Sequence, residues 1–187
     1  WYNGRNGKYN ASLYFDDNDY VNAGDISQMN SATYLSISAW MKRDVANNKV
    51  IIQKGTGSTS QVVIDFWSDG SLYFENDNGG DGYGGIALND TNWHHVVLVF
   101  DGTQSGNNKL KGYVDGKLAS LSYTGTIQAT TPNMSGQNFY IGRSAGSYSD
   151  GQIDDVKLFS YPLTAAQVKT LYNQGSATRF GPISGTP

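Results

Sequence analysis

Two sets of residues in this chain have the types and spacing to do chemistry. The first lies in QVVIDFWSDGSLYFEND, residues 61–77. Ser68-Asp69-Gly70 reads as a three-residue hairpin loop with its glycine left-handed, which sets Phe66 opposite Leu72 and Ile64 opposite Phe74. Those four apolar side chains then share one face of the sheet, and Asp65, Trp67, Tyr73 and Glu75 share the other. Aromatic faces stack on sugar C–H groups, and carboxylates accept hydrogen bonds from hydroxyls. The pattern fits a hydroxyl-rich ligand; it also fits an outward face partly covered by a loop. The next stretch, ENDNGGDGYGG (75–85), reads as a glycine-rich loop at the end of the hairpin, with Tyr83 at its tip as a further contact. Its Asp77, Asn78 and Asp81 are oxygen donors for a second cation or a hydroxyl-bearing ligand.

The second set is acidic. In GQIDDVKLFSYPLT (151–164), strand alternation puts Asp154 on the side of Val156 and Leu158, facing the interior. A carboxylate there has to be paired, hydrogen-bonded or metal-bound. The turn in FDDNDYV offers Asp16, Asp17, Asn18 and Asp19. Calcium takes six to eight oxygens, and Asp16, Asn18, Asp19 and Asp154 are the candidate side-chain ligands. The spacing is not that of an EF-hand, because the glycine and the closing glutamate are missing. The same residues also suit an Asx-type turn, with Asp154 accepting backbone N–H groups.

Composition removes several classes of function. Glycoside hydrolysis ordinarily uses two positioned carboxyl groups. Of the 16 acidic residues only Glu75 is a glutamate, and no strand carries paired glutamates at short spacing. Asp65 and Glu75, on neighbouring strands, are the one pair that could face each other. His94 and His95 are the only histidines and have no matched nucleophile, so they read as structural. The chain is read as non-enzymatic. The absence of cysteine excludes disulfides and thiolate sites. A net charge of −3 without a basic run argues against nucleic acid, and no apolar run is long enough for a membrane helix.

These residues need a frame to hold them. Short alternating runs at 12–24, 34–44, 49–55, 61–77, 92–102, 110–123, 138–144 and 153–160 are separated by turn signals, the pattern of an all-β, antiparallel two-sheet sandwich. One helix is expected in YPLTAAQVKTLYNQG, with Thr164 as N-cap, Gln167 at capping-box spacing and Gly175 as C-terminal cap. Residues 1–175 read as one domain and 176–187 as an irregular tail or linker.

The chain resembles the laminin-G-like, concanavalin A-like lectin/glucanase jelly rolls. The stretches that carry the likeness are GRNGKYNASLYFDDNDYV, LSISAWMKRD, WHHVVLVFDG followed by GYVDGKLA, and FYIGRSAGSYSDGQIDDVKLFSYPLTAAQVKTLY, in that order. The resemblance implies a jelly-roll sandwich with a short helix after the final strand. It also implies an extracellular or cell-surface setting within a larger protein, a glycan or surface-protein partner, and a structural calcium, with the acid matching Asp154 beside the turn matching Asp16 to Asp19. Non-catalytic carbohydrate recognition is the leading expectation, and a structural or adhesive protein–protein module is the alternative. The opening strand usual in such domains is missing before Trp1. That points to an excised or rearranged chain, and to self-assembly or strand donation at an open sheet edge.

Overall fold

The computed structural model describes residues 7–9, 11–16, 18–46, 49–56, 60–79, 82–144 and 146–173. Asp17, Asp81, Gly175, the segment before residue 7 and the tail 176–187 lie outside them. The strands are β1 (Leu13–Asp16), β2 (Val21–Asn22), β3 (Tyr34–Arg43), β4 (Val50–Gly55), β5 (Ser60–Phe66), β6 (Ser71–Asn78), β7 (Tyr83–Ala87), β8 (His94–Asp101), β9 (Leu110–Val114), β10 (Lys117–Leu118), β11 (Ser122–Thr124), β12 (Phe139–Ile141) and β13 (Asp150–Phe159). Among the described residues one α-helix, α1 (Ala165–Asn173), follows the last strand.

The strands form two antiparallel sheets. One has six strands in the order β1-β13-β3-β8-β9-β10; the other has seven, in the order β11-β7-β6-β5-β4-β12-β2. Alternation along β3 turns Leu35, Ile37, Ala39 and Met41 inward, and β8 adds Val96, Leu98 and Phe100. They meet Val50, Ile52, Val62, Ile64, Phe66, Leu72 and Phe74 of the facing sheet in one apolar core. This is the all-β sandwich expected from the turn spacing. The sheet edges are β1, β10, β11 and β2, each short, which limits the unpaired backbone available for pairing with another chain.

Two local features set the geometry of the outer faces. The β5–β6 register pairs Phe66 with Leu72 and Ile64 with Phe74, as the three-residue loop requires, and Gly70 is left-handed at φ 84°. The second is a β-bulge in β13. Asp154 pairs with Trp40, but the next paired residue is Lys157, opposite Ser38. Asp155 sits in the bulge at φ 52°. The extra residue breaks the alternation, so Asp154 lies on the outer face with Trp40 while Leu158, opposite Ile37, lies on the core side. The expectation of an inward Asp154 is therefore corrected. The stretch 75–85 also differs from a loop: β6 continues to Asn78, and β7 begins at Tyr83.

The outer face of the six-stranded sheet is covered. Val97, Val99 and Tyr113 pack against Leu163, Val168 and Leu171 at and within α1. The capping box forms as expected: Thr164 N–H donates to Gln167 Oε1 at 2.8 Å, and Gln167 N–H to Thr164 Oγ1 at 3.3 Å. Trp40 is buried there, its ring stacked on Tyr172 at 5.6 Å.

Candidate functional site

Over the other outer face, on the seven-stranded sheet, no described strand or helix packs. Gln53 points outward from β4, Gln61, Val63 and Asp65 from β5, Tyr73 and Glu75 from β6, and Tyr83 from β7. Trp67 follows at the end of β5, and Ser144 and Gly146 form a side wall from the segment after β12. Together with Asp69 these residues line a groove of about 430 Å³, within the range of small-molecule sites. All five residues expected from sequence to contact a ligand, Asp65, Trp67, Tyr73, Glu75 and Tyr83, line this one groove.

The walls are aromatic and held in place. Tyr73 and Tyr83 meet edge to face at 5.5 Å between ring centroids. Tyr73 O–H donates to Asp69 Oδ2 at 2.7 Å, and Ser71 N–H donates to Asp69 Oδ1 at 2.9 Å, so the hairpin turn orients the ring. The Tyr73 ring lies over Gly85, where a Cβ would come within 2.6 Å of Cε1 and displace the ring from this position. Trp67 is 37% exposed at the rim, with Lys49 Nζ 3.6 Å from its ring centroid. Lys49 Nζ also donates to Ser147 Oγ at 3.0 Å.

The floor is polar. Gln53 Nε2 donates to Gln61 Oε1 and Gln61 Nε2 to Glu75 Oε2, each at 2.8 Å. Asp65 is only 5% exposed, and its Oδ1 has no hydrogen-bond partner. Asp65 lies opposite Tyr73 and Glu75 opposite Val63, so the two carboxyls are diagonal neighbours on one face. Burial pushes the Asp65 carboxyl well up from the usual range, and Glu75 adds to the rise. Burial pushes Glu75 up to about 7 against the opposing pull of its bond from Gln61. The two titrate as a pair, and the floor holds protons into the neutral range.

Gln53, Gln61 and Asp69 were not singled out from the sequence. The same alternation that selects Asp65 also selects Gln61 and Val63, so carrying it one strand further would have reached Gln53. Asp69 was legible only as a turn former. Of the second acidic stretch, Asp77 is buried in β6, and Asn78 Nδ2 donates to Thr130 O at 3.2 Å.

The acidic turn does not come together with Asp154. Asp16 pairs with Asp150 across β1 and β13. Asp154 is four residues further along β13, on the order of 13 Å at the rise of a strand. It accepts the Tyr9 backbone N–H at 3.0 Å through Oδ2. Asp19 lies beside Leu13, Tyr14, Tyr20 and Val21, where the chain crosses between the sheets. Among the described residues no three acidic, histidine or cysteine side chains are grouped to hold a metal. Asp16, Asn18, Asp19 and Asp154 as placed do not fit the six to eight oxygens of calcium, because the β1–β13 register holds Asp154 four residues along the strand from the turn, where it accepts the Tyr9 N–H.

The histidines are tied into the scaffold. His94 lies between Asp115 Oδ2 at 2.8 Å from Nδ1 and Asp90 Oδ1 at 2.9 Å from Nε2. Burial opposes its charge, but the two carboxylates outweigh it and raise the imidazole above its usual value. His95 Nε2 is 2.9 Å from Ser38 Oγ, and burial lowers this ring to about 4.

A family model described as the concanavalin A-like lectin/glucanases superfamily matches residues 15–169, and the chain belongs to that superfamily. Among solved structures it is similar to a heptameric SAP-like pentraxin from Limulus polyphemus, at 19% identity and a TM-score of 0.57, covering 86% of this chain and 80% of that one. It is also similar to a protein from Bacteroides ovatus to which carbohydrate binding is ascribed, at 20% identity and a TM-score of 0.62, covering 84% and 45%. A third is the receptor-binding domain of botulinum neurotoxin C/D mosaic serotype, at 14% identity and a TM-score of 0.60, covering 93% and 45%. The chain spans less than half the length of the last two. At these identities the likeness is one of fold. No curated protein sequence matches the chain.

Proposed function

We propose that this chain is a non-catalytic recognition module that binds carbohydrate in the groove of the seven-stranded sheet. The observation that carries the reading is the convergence of Trp67, Tyr73 and Tyr83 with Asp65, Glu75 and Gln61 on one open concavity. Sugar rings present C–H faces to aromatic walls and hydroxyls to a carboxyl and amide floor, and this groove supplies both. The superfamily and the carbohydrate binding ascribed to the Bacteroides ovatus protein favour the same reading. The contacts come from side chains alone, with no step through a metal.

The module is read as non-catalytic because neither carboxyl beside Glu75 is free to serve as its partner: Asp65 is buried in the floor, and Asp69 is tied to Ser71 N–H and Tyr73 O–H. We place it outside the cell, the setting expected of laminin-G-like modules. A protein partner is the second reading, favoured by the similar fold of the botulinum neurotoxin DC binding domain, solved in complex with rat synaptotagmin II.

The test is a panel of soluble oligosaccharides and polysaccharides, read by calorimetry for binding and by chromatography for cleavage. Binding without cleavage, weakened about tenfold or more by Trp67→Ala, is expected. Binding of no glycan, or cleavage of any, overturns the proposal.

A further inference from the structure

Resting on the reading of the groove as a glycan site, we propose that it selects sugars carrying a free amine over their N-acetylated and anionic counterparts. Three observations lead there. The groove is lined by the carboxyl groups of Asp65, Asp69 and Glu75; the cation nearest them among the described residues, Lys49, stands beside it over Trp67 and lowers Asp65 by less than burial raises it. Asp65 Oδ1 is buried in the floor with no donor to satisfy it, although almost every buried polar atom in a folded protein has a partner. The third is the position of Lys49. The chain's own ammonium lies 3.6 Å from the Trp67 ring centroid beside the groove and bonds Ser147 Oγ, so this aromatic wall already accommodates a cation.

An ammonium brings three donors and a positive charge that would draw the floor carboxyls, protonated without it, to ionise against it. A neutral hydroxyl brings one donor and no charge. N-acetylation removes the charge and leaves a single N–H. A sugar carboxylate or sulfate would oppose ionisation of Asp65 and Glu75 and face the carboxylate of Asp69, which its bond from Tyr73 O–H holds below the usual range. The groove's size extends the requirement beyond a bare amine, since about 430 Å³ accommodates a sugar ring on the aromatic wall while its amine reaches the floor.

The experiment is calorimetry with matched ligands: glucosamine oligomers, N-acetylglucosamine oligomers of equal length, a sialylated oligosaccharide, cello-oligosaccharides, and spermidine as an amine without a sugar. The expected result is that glucosamine oligomers bind about tenfold or more tighter than the N-acetylated series, with the sialylated ligand weakest. Asp65→Asn should erase that preference. Glu75→Gln, at a less buried position, should reduce it and provides a second test if Asp65→Asn fails to fold. Equal or tighter binding of the N-acetylated or cello-series overturns the inference and leaves the glycan reading standing. Spermidine binding as tightly as the glucosamine oligomers overturns the sugar requirement. Binding of nothing overturns both.

Discussion

On the outer face of the six-stranded sheet, Trp40 lies buried, stacked on Tyr172 of α1 and tilted against His95. On the outer face of the seven-stranded sheet, Trp67 lies at a rim with its face toward Lys49 and a groove beside it. Both faces combine aromatic rings with titratable groups. They differ in what covers them. The helix, fixed by its Thr164 capping box, seals the first face and turns its aromatic and polar residues into a second small core. No described element packs over the groove of the second face, and its carboxyls are buried only by the depth of the concavity. Aromatic residues serve packing where an element follows to cover them and are available to a ligand where none does.

The largest expected effect comes from breaking the covered face. Trp40→Ala should cost about 3–5 kcal/mol, the range for large aromatic deletions from a packed core, read as a lower denaturant midpoint. Any glycan affinity, measured on the fraction that remains folded, should be unchanged. The mirror experiment is Trp67→Ala. Glycan affinity should fall by about tenfold or more, while unfolding free energy moves by no more than about 0.5 kcal/mol, the usual size of a surface change. A loss of stability as large as that for Trp40→Ala would show that the two faces are not distinct in role.

The faces should also respond to pH with opposite sign. Glu75 is raised to about 7 in the folded chain, so between about 4.5 and 7 the folded state keeps a proton that the unfolded chain releases. Its contribution to stability therefore falls as pH rises through that window, and Glu75→Gln should flatten the fall. His95 is lowered to about 4, so between about 4 and 6.5 the unfolded chain binds a proton that the folded state does not. Its contribution rises with pH and is lost on acidification, and His95→Gln should remove that slope. Urea midpoints at half-unit pH intervals separate the two. The smallest effect is expected from Thr164→Ala, which loosens the cover by about 1 kcal/mol through loss of the cap. It should leave the groove untouched.

Much of this contrast was legible in the sequence. The β5–β6 register followed from one loop length, because only a three-residue turn matched apolar to apolar, and that register placed Asp65, Trp67, Tyr73 and Glu75 together. The capping box announced the helix, but not which sheet it would cover, since that depends on packing far along the chain. The bulge in β13 carried no signal: Asp155 adopts φ 52° without being a glycine, and one extra residue was enough to move Asp154 from the core side to the outer face. The β7 strand was hidden for a related reason. Its Gly84 and Gly85 read as loop, yet they are there because Leu121, Tyr123 and Tyr73 press against the backbone. Strand propensity does not register that kind of close approach.

The most direct test of the groove as the binding face is to follow the tryptophan indole N–H resonances while titrating the tightest oligosaccharide from the panel. The Trp67 indole is predicted to shift on binding and to saturate with the calorimetric affinity, while the Trp40 indole, sealed under α1, stays in place. A shift at Trp40 without one at Trp67 would put the ligand on the other face and contradict the account.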